Sequence, residues 1–383
     1  MKINTTIATL ALTATTALGS AQVTPQYRII DLGAVNGSSE AIAINNNDQT
    51  VGWTFRNDGT YAACVWENGQ LTLLQTTGPT SSANAINESG RIVGKRGTRA
   101  VEFTALNRVR DLGTFGGGEG TCLGINDTDR ISGSFQNNQA QWKAAGEKFN
   151  YGANTFTRFN LGTLGGLWSS AQDVNNVNVY AGWSHTQSGP THAALFVENQ
   201  APQDLGTLGG PQSEAKAISD YFGVTGFSEM SQIHNAPTNK GRIKRAFLWT
   251  PERRMQNLGE PYFRGQQKFR DSQGRSYFKL AMRQGEVTRT LSVYGIDTFG
   301  FGINRRNVVC GNSRLFIGTS PFQVNRAMVS IKGVSYDLNN LAGNPTEWNL
   351  DRAWGINDSD TIVGRGFNYR TGTMRAYMAV RTR

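Results

Sequence analysis

Ile86-Asn87-Glu88-Ser89-Gly90-Arg91-Ile92-Val93-Gly94 decides how this chain reads: an Ile-Asn pair, a turn-forming run, two β-branched residues, and a glycine seven positions after the asparagine. The same frame recurs as Ile44-Asn45 with Gly52, Ile125-Asn126 with Gly133, Val174-Asn175 with Gly182, Ile218-Ser219 with Gly226, Ile303-Asn304 with Gly311, and Ile356-Asn357 with Gly364. The offset never slips although the residues between vary, so a hairpin of fixed turn length is repeated around the chain. Asn and Asp side chains bond their own backbone in such turns and tolerate left-handed dihedrals. The β-branched residues before the glycine suit a strand.

A third element follows each hairpin at a variable distance, at residues 63–66, 100–103, 139–142, 193–196, 246–249, 327–330 and 376–379. An Arg or His precedes its alanine at Arg99, His192, Arg245, Arg326 and Arg375. A fourth element ends in an Asp-Leu-Gly-like triplet: Asp31-Leu32-Gly33, Asp111-Leu112-Gly113, Asn160-Leu161-Gly162, Asp204-Leu205-Gly206, Asn257-Leu258-Gly259 and Asp337-Leu338-Asn339, with Leu73-Leu74 a degenerate copy. Four short strands per repeat is the unit of a propeller blade. The expected fold is therefore all-β and β-propeller-like, with seven four-stranded repeats. An eighth is the alternative, because Ser219 and Asn304 are 85 residues apart where the other intervals run from 39 to 53. The first triplet precedes the first hairpin and none follows residues 376–379, so the N-terminal strand is expected to complete the last repeat and remove an open sheet edge.

These residues resemble the bacterial extracellular HAF-repeat family, most sharply at Asp204-Leu205-Gly206-Thr207-Leu208-Gly209-Gly210 and Arg245-Ala246-Phe247-Leu248-Trp249. The resemblance covers nearly the whole chain after residue 21. It departs from the family pattern in that only His192 keeps the His, and Ala194 stands where Phe is usual. It implies a repeat fold and an exported character, and no reaction.

Residues 1–21 carry Lys2, an apolar and small-residue stretch from Ile7 to Leu18, and Gly19-Ser20-Ala21, which reads as a cleavable secretory signal. The expectation is a single repeat domain over 22–383, secreted, periplasmic or at the cell surface, with a basic insertion at about 260–300. No other segment approaches the roughly 20 apolar residues that a membrane span needs. Glycine at 45 of 383 residues suits tight turns better than helices. The three cysteines, Cys64, Cys122 and Cys310, allow one disulfide at most and read as small buried hydrophobes; Cys310 fills a slot that Val51, Val93, Ala181 and Val363 fill elsewhere.

No Walker loop, Gly-x-Ser-x-Gly elbow, His-Glu-x-x-His helix or full dinucleotide fingerprint is present, so no catalytic residue, metal site or cofactor is assigned. Acidic turns such as Asp127-Thr128-Asp129 read as turn chemistry, since another copy replaces them with Asn304-Arg305-Arg306-Asn307. Charge is more specific. Residues 240–289 hold 13 Lys and Arg against 4 acids, net +9, which equals the whole charge of the chain once Lys2 is removed from its +10. Such a local patch attracts polyanions. Candidate binding residues are Lys240, Arg242, Lys244, Arg264, Lys268, Arg270 and Arg275, with Trp53, Trp183 and Phe227, which follow the repeat glycine and offer flat apolar faces. The leading reading is an exported scaffold binding an anionic polysaccharide, envelope polymer or extracellular nucleic acid. A glycan hydrolase or lyase using carboxylates such as Glu119, Glu214 or Glu229, and a structural or adhesive surface protein, are the alternatives. Oligomeric state is not legible.

Overall fold

The computed structural model describes residues 25–114, 116–150, 153, 155–237, 239–263, 266–284, 287–318, 323–342 and 347–382. Residues 1–21, expected above to be a secretory signal, and Arg264 lie outside the described residues. Seven antiparallel sheets follow one another around a ring, a seven-bladed β-propeller. Blades 1 to 5 occupy residues 36–73, 81–113, 116–160, 165–204 and 209–257. Blade 6 ends at residue 337, and blade 7 takes residues 348–381 and closes on the N-terminal strand Tyr27–Gly33. In blade 7 that strand pairs with Thr373–Arg381, Tyr27 opposite Arg381 and Ile30 opposite Met378, so both chain ends share one sheet. The one helix among the described residues is Leu338–Leu341, capped by Asp337.

The 85-residue interval holds no eighth blade. Lys268–Arg270, Ser276–Gln284 and the outer half of Val287–Ile303 form three antiparallel strands that extend blade 6 to six strands. Val287–Ile303 serves twice: its first part pairs with Ser276–Gln284, and from Val293 onward it is the inner strand of blade 6. The basic insertion is thus continuous with a blade. One strand assignment is corrected: in blade 3 the third strand is Trp142–Asn150, with Ala144 in the alanine slot, because residues 137–141 form a turn with Ala140 in the left-handed region.

Three repeated joints explain the frame. The first is a ring of asparagines. Each Asn Oδ1 accepts backbone N–H groups of its own turn, as Asn45 does from Asn47 and Gln49. Each Nδ2 then donates to the carbonyl of the corresponding residue in the next blade: Asn45 to Asn87, Asn87 to Asn126, Asn126 to Asn175, Asn175 to Ser219, Asn304 to Asn357 and Asn357 to Asn45, at 2.7–3.3 Å. In the second, a buried hydroxyl accepts the N–H of the third-strand alanine of the preceding blade, as Ser81 from Ala63, Ser169 from Ala144, Ser213 from Ala193, Thr298 from Ala246 and Ser39 from Ala376. The third ties the triplet: Asp111 accepts Gly113 N–H and Arg99, Asp204 accepts Gly206 N–H and pairs with His192, and Asp337 accepts Asn339 N–H and Arg326.

The repeat glycine answers to close approach. A Cβ on Gly52, Gly94, Gly182, Gly226, Gly311 or Gly364 would overlap a carbonyl oxygen of the inner strand of its own blade. That carbonyl precedes a β-bulge which recurs in every inner strand, between Ala41 and Ala43 in blade 1 and at matching positions elsewhere. Between blades, alanines and β-branched residues interdigitate; Val51 and Ala63 of blade 1 pack with Ala83, Ile86, Ile92, Val101 and Phe103 of blade 2. The three cysteines are free and buried in these layers. Burial lifts their thiols well above the usual range, Cys310 to about 12.

Candidate functional site

The constant hairpins lie at one end of the ring, and the variable links between strands lie at the other, here called the link face. Both basic segments come out at the link face. Arg242 begins the strand Arg242–Thr250, opposite Ile233 at the end of Val224–Ile233. The Ser276–Gln284 hairpin joins Val287–Ile303 at the end of that strand farthest from the Asn304 turn. The first segment is tied to the inner strand of blade 6: Lys244 N–H donates to Asp297 at 2.8 Å, and buried His234 meets the same carboxylate at 2.7 Å. Arg314 is its third partner, at 2.6 Å. These donors outweigh the burial of Asp297 and hold its carboxyl below the usual range.

The sequence-expected residues are not equivalent. Lys240, Arg242, Lys268 and Arg270 are exposed, as are Lys279 and Arg289. Arg242 donates to the Met230 and Ser231 carbonyls. Lys244 is half-buried, 3.8 Å from Glu229 and 5.1 Å above the Phe227 ring. Arg275 pairs with Asp271 at 2.7 Å and lies over Tyr294. The three aromatics do not converge. Trp53 packs with Phe55 and Tyr61 on blade 1, and Trp183 lies beside His185, which stacks on exposed Trp168, on blade 4. Phe227 is buried against Phe299 of blade 6. The carboxylates considered for catalysis each meet a lysine: Glu119 with Lys95 at 3.1 Å, Glu214 with Lys216 at 2.8 Å, and Glu229 with Lys244.

Sequence reasoning missed the central channel. The residue three before the repeat Asn sits at the bulge of every inner strand and borders a cavity of about 370 Å³. Around the ring it is Ile42, Asn84, Leu123, Gln172, Lys216, Phe301 and Trp354, all half-buried. The bulge also turns the next residue toward the channel. That residue is Ala or Gly in the other blades and Asp173 in blade 4. Asp173 accepts the N–H groups of Val174 at 2.8 Å and Ile218 at 2.9 Å, and burial nevertheless raises its pKa to about 6.

Ile44, Ile303 and Ile356 border this cavity on one side and a smaller one, of about 140 Å³, on the other. They form a floor at the hairpin end. Beyond it, Asn46, Glu88, Asp127, Asn176, Asp220, Arg305 and Asp358 surround the smaller cavity. These side chains bond to one another, Asn176 Nδ2 reaching both Asp127 and Asp220, and Arg305 pairing with Asp220 at 2.9 Å. The turn carboxylates are likewise occupied, Asp360 by Arg306 and Arg381.

No protein-family model matches the chain, and no curated protein matches it. Among solved structures, a gluconolactonase from Xanthomonas campestris aligns over 94% of this chain and 95% of its own at 8% identity, with a TM-score of 0.35. A likeness at that level carries nothing about the chemistry of this chain.

Proposed function

We propose that the protein is an exported binding scaffold of the HAF-repeat kind, which holds an anionic polymer on its link face. One observation carries this reading: the two segments that hold the chain's excess positive charge emerge from adjacent blades 5 and 6 at the same end, and the blade 5 segment is tied to the inner strand of blade 6 through Asp297. Loops on a rigid scaffold are where binding function concentrates. A cation cluster on such loops recognises the charge density of a polyanion more than its sequence or linkage.

The test is binding to polygalacturonate, to a teichoic-acid preparation and to double-stranded DNA across a salt series. Affinity for the true class should fall steeply with salt, since each neutralised charge releases a counterion. Replacing Lys240, Arg242, Lys268, Arg270, Lys279 and Arg289 with Ser should weaken binding at least tenfold and leave the folded state intact, because these side chains lie outside the three joints. Equal binding by parent and variant at low salt refutes the proposal.

A further inference from the structure

We infer that the central channel is a separate binding pocket for a single neutral sugar ring, held between an aromatic wall on blades 6 and 7 and a polar wall on blades 2, 4 and 5. The inference does not rest on the polymer reading, since no residue of the basic segments lines this cavity.

The argument begins from the repeat itself. Positions that build the ring are repeated with little change: Asn at six of seven turns, and glycine seven residues on in all. The channel position has the same backbone in each blade and a different side chain in every one: Ile, Asn, Leu, Gln, Lys, Phe and Trp. A position whose task was to close the ring would show one solution repeated. Seven solutions around one cavity make an asymmetric lining, which is what a ligand of low symmetry requires. Asp173 makes the point again, as one carboxylate at a slot otherwise held by Ala or Gly.

The lining then selects the ligand. Phe301 and Trp354 meet at 4.4 Å between ring centroids, and Ile42 of blade 1 continues this apolar arc. The indole is fixed in place: its N–H donates to Glu40 at 2.5 Å, and the Arg352 guanidinium lies 5.3 Å from its ring. Across the channel stand Asn84, Gln172, Asp173 and Lys216. Asn84 is committed, donating to the Cys122 carbonyl at 2.8 Å and accepting from Ser82 at 2.9 Å. Gln172 donates to Ser170 at 2.5 Å, which leaves its carbonyl as an acceptor. Lys216 spends one N–H on Glu214 and keeps two further donors.

The lining therefore offers donors and acceptors and one charge of each sign, Lys216 and Asp173, while Glu214 pairs with Lys216 from outside the lining. An anion would meet Asp173 and a cation would meet Lys216. A wholly apolar ligand would strip water from both without replacing it, at several kcal/mol. A pyranose fits: its C–H face lies against an aromatic surface and its hydroxyl rim both donates and accepts. The volume falls within the range of about 300–1,000 Å³ usual for small-ligand pockets.

The test uses the full chain and a panel of glucose, galactose, mannose, xylose and N-acetylglucosamine, read by saturation-transfer NMR and calorimetry. At least one sugar should bind saturably, with a Kd near about 1 mM, which corresponds to roughly −4 kcal/mol. Gln172→Leu with Lys216→Met should weaken it at least tenfold. Leu123→Trp, which fills the cavity from a blade that supplies no proposed contact, should abolish it while thermal unfolding stays cooperative. The Ser-substituted basic variant described above should bind the sugar unchanged, so loss of the polymer site and loss of the channel site are told apart. Absence of saturable binding for every sugar of the panel, or full binding by the Leu123→Trp variant, overturns the inference.

Discussion

Ser219→Asn should stabilise the protein, and the reason lies at one joint of the ring. Six turns begin with Asn and lace the next blade through Nδ2; blade 5 begins its turn with Ser219, whose hydroxyl reaches only its own turn, accepting Gly223 N–H at 3.0 Å. The group a longer side chain would meet is already in place. At three joints the Asn also donates to the residue three positions into the next turn: Asn126 to Asn178, Asn304 to Asp360 and Asn357 to Asp48, at 2.7–2.9 Å. The equivalent oxygen facing blade 5 is Asn307 Oδ1, which is buried with no hydrogen-bond partner. An unpartnered buried acceptor costs about 1–3 kcal/mol, and each new bond contributes about 0.5–1.5 kcal/mol. Ordering an Asn side chain costs up to about 1 kcal/mol. The expected gain is about 1–2 kcal/mol, measured by urea unfolding at unchanged m-value. A cycle with Asn307→Gly separates the mechanism from a general turn effect, because glycine removes the acceptor and suits the positive φ of 57° at that position. The Ser219→Asn gain should fall by at least about 0.5 kcal/mol in the Asn307→Gly background. A gain of the same size in both backgrounds, or a loss of stability in the parent, refutes the reasoning.

Three further outcomes follow from the same geometry. Gly226→Ala, whose Cβ would overlap the Glu214 carbonyl oxygen, should cost about 3 kcal/mol or more and prevent accumulation of folded protein, whereas Gly259→Ala, at φ 74° with open space around it, should cost only about 1–2 kcal/mol; similar losses for both would show that the close approach does not matter. Deleting residues 27–31 should expose the edge of Thr373–Arg381 and lower the unfolding midpoint seen by every spectroscopic probe together; an unchanged midpoint would show that closure does not hold the ring. Asp173 has a folded pKa of about 6 against an ordinary 3.8, so its native state holds the proton more tightly: stability from this group is fully present below about pH 4 and is lost as pH rises through about 6, by about 3 kcal/mol in all. The stability difference between the parent and Asp173→Ala should shift across that window, and a difference constant within about 0.5 kcal/mol would exclude the assignment.

Blade number and closure were legible because a ring needs its joints in every copy. Asn87 and Gly94 do the same work as Asn357 and Gly364, and a fixed offset survives any change in the residues between. The Asp of the fourth-strand triplet recurs for the same reason: Asp111 and Asp204 each accept a backbone N–H two residues on. What occurs once was harder to read. Residues 268–284 carry no repeat marker, so their fusion to the inner strand of blade 6 had no signal except the long interval. In blade 3, Gln139 to Trp142 imitated the third-strand pattern, and only the left-handed Ala140 moves the strand to Ala144. The channel was missed for a geometric reason. Strict alternation along an inner strand would point Asp173 away from the side that Gln172 and Val174 share, but the bulge brings Gln172 and Asp173 onto the same cavity. The available signal was a fixed position with a different residue in each copy.

Several polar and charged departures from the repeat lie on one side of the ring. Asp173 and His192 belong to blade 4, Ser219 and Lys216 to blade 5, and the basic segments to blades 5 and 6. The joint between blades 5 and 6 lacks its Asn lace at the hairpin end, yet it is crossed there by the Arg305–Asp220 pair and nearer the link face by Lys244 to Asp297 and Arg245 to the Ile296 carbonyl at 2.6 Å. Ion pairs and charge-assisted bonds stand in for a neutral backbone lace at the joint between the blades that carry the exposed cationic segments. The joints repeat because stability asks the same of every blade. If the basic segments hold a polymer as proposed, substitutions in blades 5 and 6 should change that binding while the asparagine ring of the remaining blades keeps the propeller closed.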